Sequence, residues 1–391
     1  MMTSQSPLLS IVIKAHERLC LDKAPLIVKS PGRINIIGEH TDYNNGFALL
    51  GAVDKSVVLA FTPRADNAIR LHSIDFDSTF ETSLSTLEAT GLEWPNLVLG
   101  SVIQLQRSEQ NLSGFDLVYG ADLPRSAGLS SSSAIACGVI YGLNKLFDLN
   151  MSVNDMAWSA VRTEHEFMGV RCGVMDQINN LRAQENSALL LDCQDQSSQY
   201  VPFEQQKLSV VLCDSQVRRK LSLSKYNKRR GQCEEGVTVL EKIKPGIKSL
   251  RDISMDFLQS NKSLLNPTVY KRCHFVLEEN QRVLKTCEAL RNNDLESIKR
   301  LLYASHEGLR DLYQVSCAEI NKLVDGAMQI KGVYGARLMG AGFGGCTINL
   351  VEESQIGTFL NEMTKVFRDK LRKSPKIHVT ALSKGTHVVN V

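Results

Sequence analysis

The chain has 391 residues, 43% of them apolar and 22% charged, a composition that supports buried cores and excludes a disordered or fibrous polypeptide. Its 45 Lys and Arg against 42 Asp and Glu leave a formal charge of +3, too small for a general electrostatic grip on nucleic acid or an anionic membrane. No run approaches the roughly 20 apolar residues that span a bilayer, and the 10 scattered cysteines form neither a C-x-x-C pair nor a zinc cluster. These features predict a cytoplasmic protein with reduced thiols that handles small molecules.

In chain order, the first apolar run, 8–13, is followed by Lys14, His16, Glu17 and Arg18 where a signal peptide would place its cleavage site. It therefore predicts an amphipathic opening helix. Strand patterns follow at 26–28, 34–37 and 53–61, separated by glycine and Asn-Asn-Gly turns. Helical spacing occupies 97–107 and 130–147, with a strand at 115–119 between them. A second helical block covers 153–180, and short apolar runs at 188–191 and 208–213 predict strands. Beyond them the pattern gives helices at 224–243, 267–290, 294–311 and 317–330. A glycine-rich strand pair at 335–351, a helix at 354–372 and a final strand at 377–382 complete the chain. No repeat or low-complexity tract marks a linker. The change in element pattern places a boundary near residue 200, giving an α+β chain with an N-terminal domain 1–200 and a C-terminal domain 201–391.

Three segments carry chemistry. LPRSAGLSSSS, 123–133, follows a strand and opens an apolar helix. Unpaired N–H groups and the positive end of the dipole suit such a loop to hold phosphate, and a serine-rich N-cap is the other reading. No Walker A loop occurs, so a phosphate site here belongs to another kinase class. SPGRINIIGEHTDYN, 30–44, alternates apolar and polar residues and then packs Glu39, His40 and Asp42 together. A polar knot beside buried strand residues needs partners, and a sugar's hydroxyls or the loop's own backbone would supply them. EHEFMGVRCGVMDQ, 164–177, breaks a helix at Gly169 and restarts it by Asp176. Glu164 and Asp176 can then face one cavity, one holding Mg²⁺ and the other taking a proton; surface capping is the alternative for Asp176.

Taken together, these segments resemble the galactokinase family, in the superfamily that also holds homoserine, mevalonate and phosphomevalonate kinases. GRINIIGEHTDY, 32–43, is similar to the family's full signature, and GLSSS, 128–132, to the superfamily's phosphate loop. CGVMDQ, 172–177, is similar to its catalytic-aspartate segment and GARLMGAGFGGCT, 335–347, to its third motif. The resemblance implies a two-domain GHMP-kinase-like fold with the active site in the cleft between domains. It implies ATP-dependent phosphorylation of the anomeric hydroxyl of D-galactose, giving galactose 1-phosphate and ADP. Asp176 would be the general base and Arg33 would stabilise transition-state charge. Ser132 and Glu164 would hold Mg²⁺, and Glu39, His40, Thr41 and Asp42 would bind the sugar with Gly173 and Tyr226. Ser126, Ala127, Gly128, Leu129, Ser130, Ser131 and Ser132 would wrap the ATP phosphates, and Ser73 would touch the nucleotide. The implied partners are galactose and ATP, with neither nucleic acid nor membrane, for a monomer.

Ser126, Ser133, Met339 and the pair Leu50 and Gly51 depart from the family's usual residues, and side chains at 126 and 339 are expected to narrow the nucleotide pocket. The basic stretch 215–230 reads as a solvated helix face, because Glu234 and Glu235 follow and one aromatic is interleaved. GAGFGG, 340–345, satisfies G-x-G-x-x-G, but a strand-like run follows it instead of a helix, which argues for a tight loop against a dinucleotide site.

Overall fold

The computed structural model describes residues 7–19, 24–124, 128–203, 207–217 and 222–390. It opens with α1, Pro7–Leu19, and then lays down β1, Leu26–Ile37, and β2, Phe47–Pro63. The two strand runs expected at 26–28 and 34–37 are one strand. Pro31 and Gly32 interrupt its alternation without ending it, and the register with β2 shifts between Pro31 and Arg33 and again between Asn35 and Ile37. Such bulges bend a strand and re-aim its side chains. A hairpin absent from the sequence reading follows, β3 at Ala68–Ser73 and β4 at Ser78–Ser83.

Next come α2, Glu93–Arg107; β5, Phe115–Ala121; and α3, Ser131–Leu146. The helical block expected at 153–180 divides into α4, Val153–Phe167, and α5, Met175–Arg182. Then β6, Ser187–Asp192, and β7, Ser198–Pro202, complete most of the first sheet. The chain end adds β12, Leu382–Ser383, and β13, His387–Val388, so that the path is β13-β1-β2-β5-β3-β4, with β6 and β12 also on β2 and β7 on β6. β3 pairs with β5 in parallel, whereas β1 and β2 pair antiparallel. α3 lies on β1 and β2 and touches α2, α4 and α5. That placement explains its nearly unbroken run of small and apolar residues, for a helix covered on all sides has no polar face to show.

The second sheet has the order β11-β8-β10-β9. It is built from β8, Leu208–Asp214; β9, Val333–Leu338; β10, Cys346–Glu352; and β11, Ile377–Thr380. Helices α6, Ser222–Glu241; α7, Met255–Ser260; α8, Pro267–Arg291; α9, Leu295–Glu307; α10, Ala318–Met328; and α11, Ile356–Lys365 accompany it. β8 shows how the halves are joined. Leu208, Val210 and Leu212 enter the same core as Val28, Leu59 and Phe61 of the first sheet. Val211 and Cys213 point into the core under α8 and α10, with Phe275 and Tyr313. A strand with a side-chain period of two and both faces buried serves two cores at once.

The strand expected at 377–382 breaks after Thr380: β11 stays in the second sheet and β12 pairs with β2 in the first. The first sheet's chain leaves at Pro202 and the second begins at Leu208, yet the last strands return residues 382–388 to the first sheet. No described helix is long and apolar enough to cross a membrane.

Candidate active site

The bend in β1 delivers Arg33 to a cavity of about 300 Å³ between the β1–β2 turn, the N-terminus of α3, the α4–α5 break and the loop after β9. Its backbone N–H donates to the Leu129 carbonyl at 3.0 Å, which fixes the strand against the loop before α3. The guanidinium donates through Nε to Asp176 Oδ1 at 2.6 Å, through Nη2 to Asp176 Oδ2 at 2.8 Å and through Nη1 to the Gly128 carbonyl at 2.6 Å. Ser130 Oγ also donates to Asp176 Oδ2. Burial opposes the Arg33 charge, and the carboxylates of Asp176 and Glu39 outweigh it, so its pKa is raised. Three donors occupy three of the roughly four lone-pair sites of the Asp176 carboxylate, leaving one for a ligand hydroxyl.

The β1–β2 turn carries the acidic residues. Gly38 has φ +108°, and a Cβ there would lie 2.7 Å from the Phe47 carbonyl, so the turn requires glycine. Glu39 is buried; its Oε1 accepts from the Gly340 N–H at 2.6 Å and from Arg337 Nη2 at 3.4 Å. His40 stands in left-handed backbone, φ 65°, with Nδ1 hydrogen-bonded to the Tyr43 hydroxyl at 2.8 Å. Burial and then the Arg229 charge push its pKa down to about 3, so the ring is neutral. Asp42 Oδ2 accepts from the Gly173 N–H at 2.9 Å, while Oδ1 is buried without a partner. Burial, and then the negative charge of Asp176, push the Asp42 carboxyl up to about 6.

Gly173 is needed for that contact, because a Cβ would stand 2.5 Å from Asp42 Oδ2. The α4–α5 break therefore does two things: it seats Gly173 against Asp42 and restarts the helix so that Asp176 falls in the first turn of α5. Glu164, near the end of α4, is buried and receives Ser132 Oγ at 2.9 Å, Ser133 Oγ at 2.5 Å and Gln177 Nε2 at 2.8 Å. Burial pushes its pKa up, and the Ser133 hydroxyl opposes the shift. Among the described residues no group of three or more His, Cys, Asp or Glu could hold a metal. Ser132 Oγ and Glu164 Oε2, 2.9 Å apart, are hard oxygen donors of the kind that could hold Mg²⁺.

The structure thus brings together Arg33, Glu39, His40, Asp42, Gly128, Leu129, Ser130, Ser131, Ser132, Glu164, Asp176 and Tyr226 on one cavity, with Gly173 directly behind Asp42. Ser126 and Ala127 lie outside the described residues. Three of the expected contacts are absent from the lining of this cavity. Thr41 is fully buried, and its hydroxyl is directed at the carbonyls of Gly38 and Phe47, 2.8 and 2.7 Å away, so it holds the turn and does not line the cavity. Ser73 is fully buried at the end of β3 opposite Tyr119 and is also absent from the lining. Met339 does not narrow the site, because its side chain is buried in the first core. Ser133, one of the family departures, is spent on Glu164.

Other contributors carry weaker sequence signals. Arg337, fully buried on β9, donates to the carbonyls of Ile36 at 2.7 Å and Asn35 at 2.5 Å and so ties the second sheet to β1 beneath Glu39. It sits inside the glycine-rich motif, where the flanking glycines hide it. Glu279 of α8 accepts from the Gly38 N–H at 3.1 Å, and Asn280 accepts from the Phe47 N–H at 2.9 Å. Nothing local in α8 announces these roles, since both partners lie more than 200 residues away. The loop 340–345 leads into β10, a strand, as expected of a tight loop.

Three family models match the chain: the galactokinase galactose-binding signature over 14–63, the GHMP kinases N terminal domain over 96–181 and the GHMP kinases C terminal over 287–369. A galactokinase from Roseiflexus sp. (strain RS-1) is 39% identical over 360 residues, 92% of each chain. One from Thermotoga maritima is 36% identical over 362 residues, 93% of this chain and 99% of its own. The crystal structure of a Lactococcus lactis galactokinase complexed with galactose superposes with a TM-score of 0.94 at 30% identity, over 98% of this chain and 100% of that one. A Methanococcus jannaschii mevalonate kinase shares the fold, with a TM-score of 0.64 at 18% identity, over 92% of this chain and 99% of its own.

Proposed function

We propose how the cleft of this chain, which belongs to the galactokinase family, divides the work of phosphoryl transfer from ATP to galactose. The acceptor is the anomeric hydroxyl. Asp176 takes its proton through the one lone-pair site that Arg33 and Ser130 leave open. The anomeric oxygen forms a bond to the γ-phosphorus as the bond to the β–γ bridging oxygen breaks, giving galactose 1-phosphate and ADP. Little covalent chemistry falls to the protein, so alignment and charge neutralisation dominate.

Arg33 neutralises charge on the transferring group, a role supported by the contact of its Nη1 with the Gly128 carbonyl of the loop before α3. The backbone N–H groups that open α3, with the hydroxyl of Ser131, donate to phosphate oxygens. Ser132 and Glu164 would hold Mg²⁺, which would supply charge neutralisation on the phosphates. Asp42 Oδ1, buried and unpartnered, accepts from a sugar hydroxyl, and Glu39 and the neutral His40 provide further polar contacts on a floor formed by Tyr226. Tyr226 packs against His40 and Tyr43 at ring-centroid distances of 5.5 Å each.

The observation that carries this reading is the bidentate Arg33–Asp176 pair, set between the acidic turn and the N-terminus of α3. Replacing Asp176→Asn keeps the shape of the site and removes the base. Calorimetric galactose affinity should change little while turnover drops roughly 10²–10⁴-fold; near-normal turnover would rule out an essential base. Glu164→Ala should raise the Mg²⁺ concentration needed for half-maximal rate, and an unchanged magnesium titration would remove Glu164 from the metal site.

A further inference from the structure

The two oxygens of the Glu164 carboxylate have different surroundings. Oε1 accepts from Ser133 Oγ at 2.5 Å and from Gln177 Nε2 at 2.8 Å. A carboxylate oxygen has about two lone-pair sites, so both on Oε1 are taken. Oε2 accepts from Ser132 Oγ at 2.9 Å. Ser132 and Glu164 line the catalytic cavity, whereas Ser133 and Gln177 do not and are buried behind it. One oxygen is therefore held by the protein interior and the other stands beside a cavity hydroxyl.

The two donors that close Oε1 come from different helices. Ser133 is the third residue of α3 and Gln177 the third of α5, and they pin the end of α4 between those two N-terminal turns. A serine inside a helix commonly turns its hydroxyl back to the carbonyl four residues before it. Ser133 instead directs its proton across to Glu164, and Gln177 Nε2 lies 3.2 Å from the same hydroxyl oxygen, so the donors brace each other.

We propose that Ser133 is a positioning residue: with Gln177 it withholds Oε1, so that Glu164 offers a cation Oε2 alone and the site favours Mg²⁺ over Ca²⁺. Mg²⁺ is small and keeps near-octahedral order, which a single carboxylate oxygen suits, whereas the larger Ca²⁺ accepts both oxygens of one carboxylate. The proposal rests on the reading above, in which Ser132 and Glu164 hold Mg²⁺ beside the ATP phosphates.

Binding of the β,γ-imido analogue of ATP to the full chain is measured by calorimetry, once with saturating Mg²⁺ and once with saturating Ca²⁺, without galactose and therefore without turnover. The natural chain should bind the Mg²⁺ complex more tightly. Ser133→Ala frees a lone pair on Oε1; it should weaken binding of the Mg²⁺ complex roughly tenfold and that of the Ca²⁺ complex less, so the ratio of the two affinities falls. Ser133→Cys keeps the buried side chain's size with a weaker donor and should lower the ratio in the same direction by a smaller factor. A packing defect would weaken both complexes alike, so a ratio unchanged in both variants overturns the positioning role. Glu164→Ala separates that role from the reading beneath it. Undiminished binding of the Mg²⁺ complex to Glu164→Ala, or no binding of it to the natural chain, overturns both. Weakened binding there, with unchanged ratios in the Ser133 variants, overturns the positioning role alone.

Discussion

Asp42 puts burial to use at the scale of a single carboxyl. Held at about 6 by burial and by the charge of Asp176, it is protonated in mild acid and ionised at neutral pH. In the folded, unliganded chain it binds its proton more tightly than an unfolded Asp at 3.8, so its contribution to stability is full below 3.8 and is lost as pH rises through about 6. Galactose binding runs the other way, since only the ionised oxygen offers all its lone pairs to sugar hydroxyls. Calorimetry between about pH 5 and about pH 8 should show galactose affinity rising through about 6, with that inflection absent in Asp42→Asn. The same inflection in the variant would assign it to another group. At this scale Glu39, Asp42, Glu164 and Asp176 are legible in the sequence, because polar groups crowded beside apolar strand or helix residues must face a cavity or one another. Thr41 is not, because a hydroxyl satisfied by backbone and one that meets a ligand have the same neighbours in sequence.

Among the elements, the break between α4 and α5 carries the most function per residue. It presents Gly173 to Asp42, and there is no room for a methyl group between them. Gly173→Ala should therefore weaken galactose binding by about 1–3 kcal/mol through overpacking, with ATP affinity much less affected. Equal losses for both substrates would point to a general folding defect. Long periodic elements such as α3 and α8 are visible in the sequence from their apolar spacing, and β2 only from Val53 on. The hairpin of β3 and β4 is not: β4, STFETS, has Phe80 as its one large apolar residue, too little for a pattern. β1 is seen as two pieces, because Pro31 and Gly32 look like a terminator in sequence, whereas in the sheet they produce the bend that aims Arg33.

Over the whole molecule, the site exists because two sheets share a core and then let their loops converge. β8 buries alternate residues in both cores, Arg337 of β9 bonds to carbonyls of β1, and α8 grips the sugar turn from the far half of the sequence. A change of element pattern near residue 200 is readable in the sequence. The return of β12 and β13 to the first sheet is not, since two-residue strands leave no periodicity. Removing the Arg337 guanidinium by Arg337→Met leaves Glu39 buried without that partner and should cost about 3–5 kcal/mol, read as a lower midpoint in urea unfolding. A midpoint equal to that of the natural chain would contradict its structural role.

This convergence serves phosphoryl transfer from ATP to galactose. ADP release is measured with ATP and Mg²⁺ while galactose, glucose, N-acetylgalactosamine, mevalonate and homoserine are offered separately. Release is expected with galactose and not with mevalonate or homoserine; tight galactose binding without ADP release, or release only with another acceptor, would rule out a galactose kinase.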